Sequence, residues 1–268
     1  MLDSFASNQL PVWDETGMAG KSERGMGRRI AILMTNTDTS AFAKRFPDDG
    51  EKFTALLQPL RPEWTFTTVP VKDGVFPAAA DAFDGYVITG SPASVNQSDA
   101  WIGGLLAFIR ELDRQRIQTV GCCFGHQAIA RALGGTVAKN PGGWGFGTAV
   151  THFGREEPWM MPARDTLCLY SAHSEQVTKL PAGAVVLGGD AFCPISSFRI
   201  GAHFFTTQYH PEMSPEFITA LTVELETQLD VATVERARQQ LRKPADGAVF
   251  AEWMLRFLEF SRAPSASG

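Results

Sequence analysis

The residues of this chain best suited to chemistry lie in Gly121-Cys122-Cys123-Phe124-Gly125, where the apolar run 119–122 meets a Gly-x-Cys-x-Gly turn and a helical stretch begins at once. This is the sequence form of a turn that thrusts a nucleophile out at the carboxyl end of a strand. Glycines flank the nucleophile because a Cβ would clash where the backbone segments close together. A helix opening just after Cys123 turns its positive end toward the sulfur and offers free N–H groups to a developing oxyanion. A buried, inert thiol is the bland alternative. It fits Cys122, since alternate strand positions point to opposite sides. The adjacent cysteines and His126 lack a second spaced pair, so a zinc site is set aside, and neither a metal nor a cofactor is expected.

A thiolate nucleophile needs a partner that takes and returns a proton, and a third group that fixes that partner. Of the five histidines, His126, His152, His173, His203 and His210, only His210 has suitable company. It ends a strand-like run, His203-Phe204-Phe205-Thr206-Thr207-Gln208-Tyr209-His210, and is followed by Pro211-Glu212. The proline stiffens the link, and the spacing lets Glu212 reach back to one ring nitrogen while the other faces the sulfur. Alone, a His-Pro-Glu segment would read as a surface turn; the pairing with the cysteine turn makes it specific.

The elements that must position these groups alternate. Strand-like runs at 30–34, 64–69, 86–89, 119–122, 184–187 and 203–207 are separated by amphipathic stretches at 50–60, 101–114 and 127–133, which predicts βαβ units on a mostly parallel sheet flanked by helices. The fold class is α/β. Between 134 and 187 short Gly-, Thr- and Val-containing pieces predict small hairpins inserted after the cysteine-bearing helix. Pro141-Gly142-Gly143-Trp144-Gly145-Phe146-Gly147 lies there. No Gly-Lys-Ser/Thr follows it, so a turn closing over the site is preferred to a phosphate loop. Ser214-Pro215-Glu216 opens a helix expected to run toward Gln228. A last helix repeats Val249, Phe250, Trp253, Met254, Phe257 and Leu258 on one face and is expected to dock on the core, with a dimer contact as the alternative. The expected divisions are a tail outside the fold at 1–27, one domain at 28–228, and a helical extension with its own tail at 229–268.

Composition narrows the function classes. A net charge of -5 argues against nucleic acid as the main partner, because phosphate binding normally shows as a basic face. The densest basic stretch, 236–243, is interleaved with Gln and reads as a solvated helix face. No apolar run reaches the roughly 18 residues of a membrane span, so no membrane partner is expected. Two of the four cysteines, Cys122, Cys123, Cys168 and Cys193, are adjacent, a poor disulfide framework, and no apolar signal core opens the chain. The expected location is the cytoplasm.

Together the two motifs resemble those of the class I glutamine amidotransferase family, in which Gly-x-Cys-x-Gly-x-Gln and a later Gln-Tyr/Phe-His-Pro-Glu form a triad. Ile88-Thr89-Gly90-Ser91-Pro92-Ala93-Ser94-Val95 is similar to the family's Gly-Ser/Gly-Pro-x-Ser-Val loop, and the order agrees from about residue 29 to about 228. The stand-alone branch, with GMP synthase-type glutaminase domains and γ-glutamyl peptidases, is the nearest in pattern. The resemblance implies a flavodoxin-like sheet, catalysis by Cys123, His210 and Glu212, and an oxyanion hole from the backbone N–H groups of Ser91 and Phe124. It further implies substrate contacts at Gly90 and Gln127. Tyr170-Ser171-Ala172-His173-Ser174-Glu175-Gln176-Val177 resembles a Ser-His-x-Asp-x-Val segment at the substrate's amino-acid end, which brings in His173 and Ser174; Glu175 replaces the aspartate. The implied ligand is glutamine or another γ-glutamyl small molecule. Three functions stay open: a glutaminase that passes ammonia to an acceptor (synthetase) subunit, a free-standing hydrolase of γ-glutamyl peptides or amides, and a non-catalytic regulatory module. Oligomeric state is not readable from these residues.

Overall fold

The computed structural model of the chain describes residues 27–242 and 245–260. The tail expected at 1–27 lies, Gly27 apart, outside them, as does the end of the chain from 261.

Eleven strands form among the described residues: β1 (Arg29–Leu33), β2 (Thr65–Val69), β3 (Gly85–Ile88), β4 (Thr119–Cys122), β5 (Thr136–Lys139), β6 (Gly145–Phe153), β7 (Thr166–His173), β8 (Glu175–Lys179), β9 (Ala184–Gly189), β10 (Ser197–Ile200) and β11 (Phe204–Thr207). Nine of them join one sheet in the order β2-β1-β3-β4-β11-β10-β9-β6-β7, and β5 pairs with β8 in a second. From β2 to β11 every pairing is parallel; beyond β11 the sheet continues antiparallel. The hairpin region expected after 134 forms as two nested pairs. β5–β8 encloses the long β6–β7 hairpin, which extends the main sheet through β9.

Strand alternation divides the core. Ile30 and Ile32 of β1, Val87 of β3, Val120 of β4 and Phe205 of β11 point to one face, where α1 (Asp49–Leu57) and α6 (Gly247–Glu259) cover them. Ala31, Leu33, Tyr86, Ile88 and Phe204 point to the other, under α2 (Ala100–Gln115) and α3 (Phe124–Ala132). Two-sided burial explains why the central strands read as continuous apolar runs.

A third cluster gathers Phe146, Tyr170, Ile218, Leu229 and Val234 where α4 (Pro215–Glu224) and α5 (Val231–Gln240) meet the β6–β7 hairpin. Ser214 caps α4, accepting a hydrogen bond from the Phe217 N–H at 3.1 Å. The helix stops at Glu224, short of the expected Gln228, because the chain bends at Leu225 and brings Leu229 back into this cluster. Arg236 and Arg238 of the basic stretch lie on the exposed side of α5, where Arg238 pairs with Glu226 and Glu235; the other side sets Ala237 against Gly147, whose φ is 104°.

The last helix lies in the core itself. Phe250, Ala251, Trp253, Met254, Leu255, Phe257 and Leu258 are all fully buried, so it packs on a broader face than the expected stripe. The Trp253 indole N–H donates to the Pro162 carbonyl at 3.0 Å. Trp253→Ala is therefore expected to lower unfolding stability by about 3–5 kcal/mol, read as an earlier midpoint in urea titration followed by circular dichroism.

Candidate active site

The β4–α3 junction places the expected nucleophile. Cys123 lies at φ 50°, ψ -103°, positive φ in a non-glycine residue. Its N–H donates to the Thr207 carbonyl on β11 at 2.9 Å, and its own carbonyl accepts from the Gln127 N–H at 3.1 Å. Both flanking glycines are sterically required. A Cβ at Gly121 would lie 2.7 Å from the Gly125 carbonyl group, and one at Gly125 would lie 2.4 Å from the Ile88 oxygen. The cysteine in front, Cys122, is fully buried, and burial first, then the charges of Glu212 and Cys123, push its thiol well above the ordinary range. It is the packing residue the alternation predicts.

Parallel pairing of β4 with β11, which sets Cys122 opposite Thr207, delivers the second motif to the same sheet end. The His210 N–H donates to the Tyr170 carbonyl of β7 at 2.8 Å. Glu212 reaches back as expected, its Oε1 lying 2.7 Å from His210 Nδ1, with the two side chains 1% and 6% exposed. A carboxylate only accepts, so Nδ1 carries a proton and Nε2 is left for other work. Nε2 is buried without a hydrogen-bond partner among the described residues, as is Glu212 Oε2. Burial opposes protonation of the ring. The Glu212 carboxylate and the neighbouring Cys123 outweigh it and hold the imidazolium well above the usual histidine range.

The 90–95 loop closes the third side. A Cβ on Gly90 would meet His210 Cε1 at 2.8 Å and Cys123 Cβ at 3.6 Å, so this glycine is the spacer against which the two groups pack. Ser91 follows it on the wall of a cleft of about 250 Å3 that also holds Cys123, Gln127, His173, Ser174 and Glu175. The Phe124 N–H opens α3 beside the sulfur. Among the described residues neither it nor the Ser91 N–H is spent in a backbone hydrogen bond. At about 250 Å3 the cleft lies just below the roughly 300–1,000 Å3 common for ligand clefts, a size for a small molecule.

The remaining predicted residues take defined places. Gln127 is buried; its amide donates to the Glu175 carbonyl at 2.8 Å and to Gln208 Oε1 at 3.2 Å. His173 Nδ1 donates to the Glu175 carbonyl at 3.0 Å, leaving Nε2 as a bare acceptor. Burial lowers the ring to about 4, so it is neutral near pH 7. At the glutamate that stands for an aspartate, Ser94 Oγ donates to Glu175 Oε2 at 2.7 Å, tying the loop to the β8 strand. Of the other histidines, His126 bonds Thr206 Oγ1 in the core and His203 bonds Asp113.

Several contributors escaped sequence reasoning. Gln208, fully buried, donates to Cys123 Sγ at 3.7 Å; its signal is its place in the Gln-Tyr-His-Pro-Glu run. Lys139 also lines the cleft, and so does Trp144, from the turn expected to close over the site. The elevated protonation of His210 leads to a measurable expectation. In histidine NMR titrations Cys123→Ser and Glu212→Gln should each move its midpoint to lower pH than in the unsubstituted chain, because each removes one of the two neighbours that favour the imidazolium.

Comparisons with known proteins give the chain's family. The family described as glutamine amidotransferase class-I matches residues 61–220. The chain is 30% identical to γ-glutamyl peptidase 3 of Arabidopsis thaliana over 204 residues, 71% of this chain and 79% of that one. It is also 30% identical to the glutamine-hydrolysing GMP synthase of Azoarcus sp. over 138 residues, which cover 48% of this chain but 26% of the synthase. A crystal structure of a glutamine amidotransferase from Methylobacillus flagellatus superposes with a TM-score of 0.67 at 20% identity, covering 91% of this chain and 99% of its own. The chain belongs to the class I glutamine amidotransferase family.

Proposed function

We propose that this chain cleaves the side-chain amide of glutamine, or of a γ-glutamyl relative, through a thioester on Cys123. The observation that carries the reading is the buried His210–Glu212 pair, joined at 2.7 Å and set beside a cysteine at a strained strand-to-helix turn. In this reading the Cys123 thiolate attacks the γ-carbonyl carbon. A C–S bond forms while the carbonyl electron pair moves to oxygen, which the N–H groups of Phe124 and Ser91 hold. When the pair returns, the C–N bond breaks and His210 gives its Nε2 proton to the departing nitrogen. Water then attacks the thioester, His210 takes its proton, and glutamate leaves as the thiolate is restored. Glu212 keeps the imidazole oriented and does not itself carry the proton. Gly90, Gln127, His173 and Ser174 are assigned to the glutamyl side of the cleft.

As a glutaminase the chain would pass ammonia to an acceptor (synthetase) subunit; as a hydrolase it would release ammonia or a larger amine to water. The second reading is favoured by the match to a γ-glutamyl peptidase across 79% of that protein, against 26% of the GMP synthase. A cytoplasmic location fits either.

The test is incubation of the purified chain with glutamine and with a panel of γ-glutamyl peptides and amides, measuring ammonia, glutamate and free amine. Glutamate release from peptides but not from glutamine would select the hydrolase. Cys123→Ala is expected to lower kcat by about 10^4-fold or more, and Glu212→Gln by about 10^3-fold, since an amide can donate to Nδ1 and favour the wrong tautomer. Appreciable turnover by Cys123→Ala would refute the mechanism.

A further inference from the structure

Behind the cleft lies a pair of hydroxyls that the mechanism does not use. Thr35, just past β1, and Thr89, just past β3, are both fully buried. The Thr35 N–H donates to Thr89 Oγ1 at 3.0 Å, the two hydroxyls lie 3.1 Å apart, and Thr35 Oγ1 is 2.8 Å from the Gly90 carbonyl oxygen. Each hydroxyl has one proton. Thr35 Oγ1 also lies 3.0 Å from the Thr89 carbonyl oxygen, and Thr89 Oγ1 lies 3.2 Å from the Gly90 carbonyl oxygen; of the two hydroxyls within reach of Gly90, that of Thr35 is the nearer, and it donates there. The segment carrying Thr35 is itself pinned, with the Met34 N–H on the Val69 carbonyl at 2.9 Å and the Asn36 amide on Asp49 at 3.0 Å.

The Gly90 carbonyl belongs to the same peptide unit as the Ser91 N–H. In a trans peptide the two point in opposite directions, so a carbonyl held on Thr35 turns the N–H away from Thr35, and Ser91 itself lines the cleft together with Cys123. Released, the unit could rotate and present its oxygen to a developing anion. Thr89 also serves the other donor: its backbone carbonyl accepts from the Gly125 N–H at 3.1 Å, anchoring the first turn of α3 directly after Phe124. Both N–H groups are thereby referenced to one rigid frame between β1 and β3.

We propose that Thr35 is a positioning residue for the oxyanion hole, its hydroxyl fixing the Gly90–Ser91 peptide with the N–H aimed at the reacting carbonyl. This rests on the reading of the site given above. An oxyanion exists only after attack, so the defect of a misaimed donor belongs in kcat and not in KM.

The experiment compares Thr35→Val and Thr35→Ser with the unsubstituted full chain on glutamine and on γ-glutamyl-p-nitroanilide, and follows alkylation of Cys123 by iodoacetamide. Alkylation is displacement at a saturated carbon; it needs the nucleophile and no oxyanion hole. Thr35→Val should lose about 10- to 100-fold in kcat with KM little changed and an unaltered alkylation rate, while Thr35→Ser keeps the wild-type kcat. Unchanged kcat in Thr35→Val, beside an active wild type, overturns the role of Thr35 alone. Parallel loss of kcat and alkylation, or failure of Thr35→Ser to restore turnover, also overturns it, marking a general disturbance of the fold. A wild-type chain that turns over neither substrate and is not alkylated at Cys123 refutes the reading of the site and the proposal together.

Discussion

The backbone of Cys123 sits in a conformation that costs an L-residue about 1–3 kcal/mol, and it persists because its surroundings over-determine it. Its N–H is tied to β11 and its carbonyl to the first turn of α3, while glycines on either side admit backbone where no side chain would fit. The β11 tie brings the strand that leads into His210 alongside the strand that ends at the cysteine. One local strain thus sets the register of two distant motifs, separated by more than 80 residues, and the rest of the cleft is built around that meeting point.

The supporting layer is polar and buried, which makes it demanding. Gln208 bridges Cys123 and Gln127, Gln127 holds the Glu175 carbonyl, and Glu175 holds Ser94 in the neighbouring loop. An unpaired polar group in such surroundings is costly, so each member constrains the next. Three of the seven buried side-chain polar atoms without a hydrogen-bond partner among the described residues, His210 Nε2, Glu212 Oε2 and His173 Nε2, lie at this same site, where a ligand or a water can complete them.

What could be read from the residues divides along sequence separation. Cys123 with its glycines, and His210 with Glu212, are visible because their chemistry is written in contiguous runs: a turn needs its own glycines, and a carboxylate two residues away can reach its imidazole. The parallel half of the sheet was visible for a similar reason, as short apolar runs spaced by amphipathic stretches. The Thr35–Thr89 contact was not, since it exists only because β1 and β3 are neighbours, and nothing in either local stretch announces the other. The nesting of β6–β7 inside β5–β8, and the early end of α4, depend likewise on which cluster a leucine or valine finally joins.

The placement of α6 has a consequence for how the molecule is made. It covers one face of β1, β3, β4 and β11, the strands that bring the cleft together, yet it follows all of them in the chain, and Arg61 bridges to Glu252 and Glu259 across nearly 200 residues. Contacts of such long range form slowly, because the intervening loop must be closed first. On the ribosome the cysteine turn emerges well before the helix that seals the sheet beneath it. Until α6 docks, a nascent chain holds all the reactive side chains over an apolar face that α1 covers only in part, so the site is among the last parts of the protein to mature.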